Sequence, residues 1–145
     1  MWRELAAEFP GVDLQDPADE ASLITIEQGL GQAIPQALRE LLLETDGITD
    51  DYGTDIVWSA ERILSDNEGF RQNPQFQDLY QSFDGLMFFG DNGGGDQFAF
   101  VRKPARDDEI FVWDHETDSR TWVSGSLENY LRSALGSDGE DWYRD

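Results

Sequence analysis

Three places in this chain carry residues that could do chemistry. The first is Gly90-Asp91-Asn92-Gly93-Gly94-Gly95-Asp96. A glycine-rich loop can cradle phosphate, but that use calls for a following helix N-terminus and often a Lys. This loop runs from strand to strand and carries two aspartates, which would repel phosphate. Asp91, Asn92 and Asp96 offer oxygens for calcium, yet their spacing departs from the calcium-loop pattern and no bidentate Glu follows at the right distance. The plain reading is a tight connection whose glycines allow positive φ. The second place is His115, the single histidine, within Asp114-His115-Glu116-Thr117-Asp118. A His beside carboxylates can act as general base or metal ligand. With no cysteine and no nucleophile motif nearby, it reads as a solvated hairpin loop. The third is the wealth of acids. No spacing singles out an acid–base pair. The sequence therefore gives no catalytic residue, no metal site and no cofactor, and the expectation is a protein that is not an enzyme.

Composition narrows the partner instead. The net charge is −21, from 31 acids against 10 bases. Binding nucleic acid needs Lys and Arg to displace counterions, and an anionic membrane surface needs them too. Both are disfavoured, and a basic protein partner is favoured. Evenly spread over a folded surface of roughly 7,500 Å², the excess charges would lie about 19 Å apart. That exceeds the ~8 Å Debye length in cells, so only clusters make a strong field. Two segments cluster them without a base. One is Glu44 to Asp55, with Glu44, Asp46, Asp50, Asp51 and Asp55. The other is Asp107 to Asp118, with Asp107, Asp108, Glu109, Asp114, Glu116 and Asp118. Tyr52 and Trp58 flank the first, as aromatics do on binding surfaces, although Trp58 also fits a core position. The candidate partner contacts are Asp46, Asp50, Asp51, Tyr52, Asp55, Asp91, Asp96, Asp114 and Glu116. A solubility device or an acidic proteome would give the same charge with no partner. The small basic cluster Arg102-Lys103 with Arg106 reads as a strand end.

The elements that must position these residues follow from periodicity. Trp2, Leu5, Ala6 and Phe9 predict a helix over 2–9, stopped by Pro10-Gly11. Asp16 and Pro17 predict the cap and first turn of a second helix with Leu23, Ile26 and Leu30 buried and Gly31 at its end. Pro35 opens a third helix with Leu38, Leu41 and Leu42 inward, ended by Gly47. Ile56-Val57-Trp58 reads as a strand, and Ser59 caps a helix carrying Ile63 and Leu64 that loses its pattern between Gly69 and Pro74. Leu86 to Phe89, the stretch with Phe98 and Phe100, Ile110 to Trp113, and Arg120 to Val123 predict an antiparallel meander. A last helix starts near Ser124 or Ser126, buries Leu127, Tyr130, Leu131 and Ala134, and closes at Gly136. The fold class is α+β: an antiparallel β-meander with helices packed on one face. One domain is expected over 1–136, with an acidic tail over 137–145 that is loose unless Trp142 and Tyr143 dock. No secretory leader and no apolar run of the ~20 residues that span a bilayer is evident, so the expected location is cytoplasmic.

The order of these features resembles the SUKH superfamily, which includes the fungal Smi/Knr cell-wall regulators and many bacterial immunity proteins. Ile26-Glu27, Leu30-Gly31, Ile34-Pro35, the Leu38–Leu42 helix and Asp46-Gly47 resemble its opening, with Ile34 in place of a Leu and Asp46 in place of an Asn. Ile56-Val57-Trp58-Ser59, Phe89-Gly90-Asp91 through Gly95-Asp96, and Ser126-Leu127-Glu128-Asn129-Tyr130-Leu131 resemble its middle and closing helix. The resemblance covers about residues 20–135 and implies an α+β fold without catalytic residues that binds protein. In bacteria it implies an immunity protein that neutralises a toxin, often a nuclease. The alternative it implies is a regulatory scaffold domain like the fungal members. It does not fix which residues touch a partner.

Overall fold

A computed structural model describes residues 1–144. The chain forms α1 (Trp2–Ala7), β1 (Asp13–Leu14), α2 (Glu20–Leu30), α3 (Gln36–Glu44), β2 (Ile48–Thr49), β3 (Asp55–Val57), α4 (Ala60–Gln72) and α5 (Pro74–Leu79). Then come β4 (Leu86–Asp91), β5 (Gln97–Arg102), β6 (Ala105–Asp114), β7 (Ser119–Ser124) and α6 (Leu127–Leu135). The expected α+β class and meander are present. Strands β4-β5-β6-β7 make a four-stranded antiparallel sheet, and β1-β2-β3 make a second, three-stranded one.

Caps and stops set the helices. Ser59 and Ser126 cap α4 and α6 by accepting from the N–H groups of Arg62 and Asn129. Gly31 ends α2 in the left-handed region, at φ 68°. The start of α2 differs from the sequence expectation. Asp19 caps it, and Asp16 and Pro17 stay outside. The reason is pairing along the α3 end: the Asp16 carbonyl accepts from Asp46 N–H, and Ala18 N–H donates to the Leu42 carbonyl, both at 2.9 Å. The residues following Gly69 also differ. Where the apolar period fades, Asn73 caps α5 with Pro74 in its first turn. Strands β1 and β2 have two residues each, too few for a period-2 pattern to show.

Alternation along the large sheet gives it two faces. Met87, Phe98, Phe100, Ile110 and Val112 share one face and are buried. Tyr130 of α6 packs there, with its ring 5.1 Å from Phe89 and 4.9 Å from Phe98. On the other face, Phe88 and Trp113 lie under Phe70, Tyr80 and Phe83, with ring centroids 5.2–5.9 Å apart. Fully buried Asn67 of α4 pins that strand. Its amide donates to the Phe88 carbonyl at 2.9 Å and accepts from Phe88 N–H at 2.8 Å, beside a bulge between Phe88 and Gly90.

The two sheets meet at β3 and β4. Trp58 N–H donates to the Phe89 carbonyl at 2.7 Å, and the buried Tyr130 hydroxyl donates to the Ile56 carbonyl at 2.7 Å. Gly90 makes this approach possible: a Cβ there would lie 2.1 Å from the Ile56 carbonyl oxygen. Gly90→Ala is expected to destabilise the protein by more than about 2 kcal/mol, by forcing β3 away from β4. Tyr130→Phe leaves the Ile56 carbonyl without its donor and should cost about 1–2 kcal/mol. Urea unfolding followed by circular dichroism measures both, and a Gly90→Ala midpoint equal to the parent's would refute the packing argument.

Candidate partner-binding surface

The arginines are engaged inside the molecule, while Lys103 is exposed. Arg39 pairs with Glu20 and Glu27, Arg132 with Glu8 and Glu128, Arg106 with Glu109, and Arg102 with Asp107. Arg62 is the busiest. It reaches Asp55 at 2.8 Å, Asp66 at 3.0 Å and Asp91 at 3.1 Å, with its guanidinium 4.2 Å over the Trp58 ring. Trp58 is itself buried and donates its indole N–H to Asp91 at 2.8 Å, so it belongs to the core rather than to a contact surface. Arg71 is met by carbonyls of Leu30 and Leu86 and by Gln32.

Acids without an ion partner among the described residues then mark where charge is uncompensated. Nine of them, Glu4, Asp19, Glu40, Glu61, Glu68, Asp78, Asp84, Asp108 and Asp114, are spread along the chain, while Asp13, Asp16, Asp46, Asp50 and Asp51 lie on and beside the small sheet, with Asp138 and Glu140 in the tail. The β2–β3 turn is the centre of this region. The Asp50 carboxylate accepts from the N–H groups of Tyr52 and Thr54, both at 2.9 Å, and Gly53 takes a φ of 83°. That turn holds Asp51 and Tyr52 outward, and Tyr52 is 62 % exposed. Asp51 lies over Gly11, and the Tyr52 ring lies beside Gly139. A hollow of about 110 Å³ between them is lined by Phe9, Pro10, Asp51, Tyr52 and Asp138. A separate open cleft of about 430 Å³ is lined by Asp16, Asp46, Thr49, Asp55 and Arg62.

The sequence candidates separate on this geometry. Asp51, Tyr52 and Glu116 are exposed. Asp46 and Asp50 are half-buried and face the clefts, but each also does structural work. Asp46 accepts from Ala60 N–H at the start of α4, at 2.7 Å. Asp55 and Asp91 are held by Arg62. Asp114 folds onto its own turn by accepting from Glu116 N–H at 2.9 Å. Asp96 has to be withdrawn as a contact, because it is fully buried. The Asp107–Asp118 segment also loses force as a cluster, since Asp107, Glu109 and Asp118 have arginine partners. Sequence reasoning missed Asp138 and Glu140. The signal was available in Trp142 and Tyr143, whose docking brings that acidic stretch to Tyr52. Trp142 stacks on Phe98 with centroids 5.7 Å apart and planes 10° apart.

Asp96 is the anchor of that docking. Its carboxylate accepts from His115 Nδ1 at 2.9 Å, from the Tyr143 hydroxyl at 2.8 Å and from Arg144. The glycine-rich loop is a turn, with Gly93 and Gly95 at φ 81° and 111° and Asn92 accepting from Gly94 and Asp96 N–H groups. Asp96, Asp114 and His115 bring ligand atoms within 4.8 Å of one another. Both Asp96 oxygens already accept from donors, one of them cationic, which suits a salt-linked latch and not a cation site.

Burial would raise the Asp96 pKa, but the hydrogen bonds from His115, Tyr143 and Arg144 outweigh it and hold the carboxyl below its ordinary value. A carboxyl with a depressed folded pKa contributes stability above its unfolded value of about 3.9, and that stability is lost as pH falls through the folded pKa. The latch is thus complete at neutral pH and is lost only below the ordinary carboxylate range, as pH falls through the depressed folded pKa. Asp96→Asn is expected to cost about 2 kcal/mol at pH 7 and to flatten the acid limb of the stability curve. Thermal unfolding from pH 3 to 7 checks this, and a constant difference across the range would exclude the ionised latch.

Among the described residues, no helix is long and apolar enough to cross a membrane. No curated protein matches the chain. A family comparison does, over residues 17–133, with the description SMI1 / KNR4 family (SUKH-1). The match runs from just before α2 into α6, and it leaves out α1 and the latched tail. Covering most of the 145 residues in the order that the sequence resemblance anticipated, it places this chain in the SMI1 / KNR4 (SUKH-1) family.

Proposed function

We propose that this chain is a protein-binding module that neutralises a toxin domain by covering its basic surface, as an immunity protein does. The observation that carries the reading is the uncompensated acid of the small sheet that presents exposed Tyr52: Asp50, Asp51 and Asp138 line the hollow at Tyr52, and Asp13, Asp16 and Asp46 lie on and beside the same sheet, in a chain whose arginines are engaged internally. SUKH-type family membership supports it, since the family is generally a non-catalytic binding module. Nucleases hold nucleic acid with cations, so an acidic inhibitor fits that class of toxin. Tyr52 supplies what charge alone lacks, an amphipathic anchor of the kind enriched in hot spots. The family description also names the SMI1 / KNR4 regulators, so a scaffold domain with a cellular partner is the second reading. Both readings use this surface and differ in the partner.

The test pairs the chain with the toxin domain encoded beside it. Co-expression is expected to protect cells, and the association rate should fall at least about 10-fold between 50 and 500 mM salt. Asp51→Lys and Tyr52→Ala should each weaken the complex by about 10-fold or more, and Glu116→Lys should change little. Failure of protection with no complex at low salt would reject the toxin partner. Protection that survives both Asp51→Lys and Tyr52→Ala would reject the surface.

A further inference from the structure

Strand β7 closes the large sheet on the side away from β4, and it carries the most conspicuous exposed aromatic of the β-meander. Trp122 is 52 % exposed. It stands directly opposite half-buried Phe111, which faces Ala99, which faces Phe88, so one apolar row crosses all four strands and ends in the open at Trp122. Large exposed apolar groups at such a place are informative where scattered ones are not.

The edge itself is also open. Among the described residues, β7 makes backbone–backbone hydrogen bonds to β6 and to nothing else. Edges are normally blunted by Lys or Pro, by bulges, or by charges turned inward. Ser119-Arg120-Thr121-Trp122-Val123-Ser124 has no Pro and no Lys, and its one charge is spent within the chain. Arg120 donates to the carbonyls of Gln81 and Ser82 at 2.8 Å and pairs with Asp118, which leaves the exposed Thr121 and Trp122 without a charged neighbour on the strand beyond it. The six residues span about 20 Å. Acids stand at both ends. At the Ser119 end lies exposed Glu116, with the His115 ring 3.9 Å away. At the Ser124 end β6 runs on past β7 through Glu109, Asp108 and Asp107. Asp108 is exposed and has no ion partner among the described residues, while its neighbours are taken by Arg106 and Arg102.

We propose that β7 is a strand-addition site for an extended segment of a partner protein. The segment would place apolar side chains over Trp122 and Phe111 and lysines or arginines at its two ends. Main-chain pairing would supply the binding, and alternate side chains the selectivity. A second copy of this chain is the wrong occupant. Antiparallel pairing of two β7 edges would bring the Glu116 end of one copy against the Asp108 end of the other, between molecules of charge −21. This site lies across β4, β5 and β6 from β3, so it does not depend on the surface around Tyr52.

The test uses the full chain, labelled with nitrogen-15, and two synthetic ten-residue peptides. Both alternate valine and threonine through their central six positions. One carries two lysines at each end, the other two glutamates. The lysine peptide is expected to shift and protect the amides of residues 119–124 and to move Trp122 fluorescence to the blue. The glutamate peptide should bind at least 10-fold more weakly. Trp122→Ala and Thr121→Arg, both at exposed positions, should each weaken the lysine peptide at least 5-fold with unchanged circular dichroism. Asp51→Lys should leave it unaffected. The proposal is overturned if neither peptide binds, if both bind equally, or if protection maps to the Tyr52 turn. It is also overturned if the β7 amides are already protected in a dimer without peptide.

Discussion

The Tyr130 hydroxyl reaches the Ile56 carbonyl across a gap that exists only because residue 90 has no side chain. Three distant parts of the chain meet at this point: the small sheet, the bulged strand β4 and the closing helix. A buried carbonyl beyond the reach of the sheet ladders needs a donor, and the phenol supplies it while its ring fills the core between Phe89 and Phe98. The β2–β3 turn extends from this junction, so the direction in which Asp51 and Tyr52 point is inherited from it. The tail is tied to the same place from the other side, through Trp142 on Phe98. The surface proposed for binding is therefore built on a fully buried junction, as preorganised recognition requires.

Electrostatics here is a matter of distribution. Counting residues gives −21, but the count does not say where the field is. Pairing decides it. Arg102, Arg106 and Arg120 take three of the six acids between Asp107 and Asp118, and Asp108 is left without a cation. Between Glu44 and Asp55 the N-terminal amine takes Glu44 and Arg62 takes Asp55, while Asp46, Asp50 and Asp51 keep their charge and are joined by two segments far away in sequence. The accessible surface of 7284 Å² matches the size expected for this mass, so the unevenness arises from pairing and not from an unusual shape.

The helices α2, α3, α4 and α6 and the four long strands were legible because each has several periods of apolar pattern and a residue whose chemistry starts or stops it. Of the short elements, α1 and β3 were legible too, and β1, β2 and α5 were not. Two-residue strands have no period, and α5 shows no apolar stripe because Phe76 joins an aromatic cluster with Phe70 while Leu79 is exposed. Asp16 and Pro17 read as the cap and first turn of α2, but Asp19 takes the cap because the Asp16 carbonyl is engaged by Asp46. At the site, the sequence identified the Tyr52 turn correctly as exposed and acidic. It could not tell Asp51 from Asp96. Both are aspartates beside glycine-rich turns, and only the fold places three donors on one of them.

The deployment of arginine has an evolutionary corollary. Arg39, Arg62, Arg71, Arg102, Arg120 and Arg144 are each fixed by specific acceptors, so replacing any of them leaves carboxylates or carbonyls uncompensated. Gaining an acid at an exposed position breaks nothing comparable. Under purifying selection for folding alone, such a chain would lose cations rarely and accumulate anions freely. Its acidity would then ratchet upward until repulsion set the limit, and recognition of a basic partner could be recruited from a charge that drift had already provided.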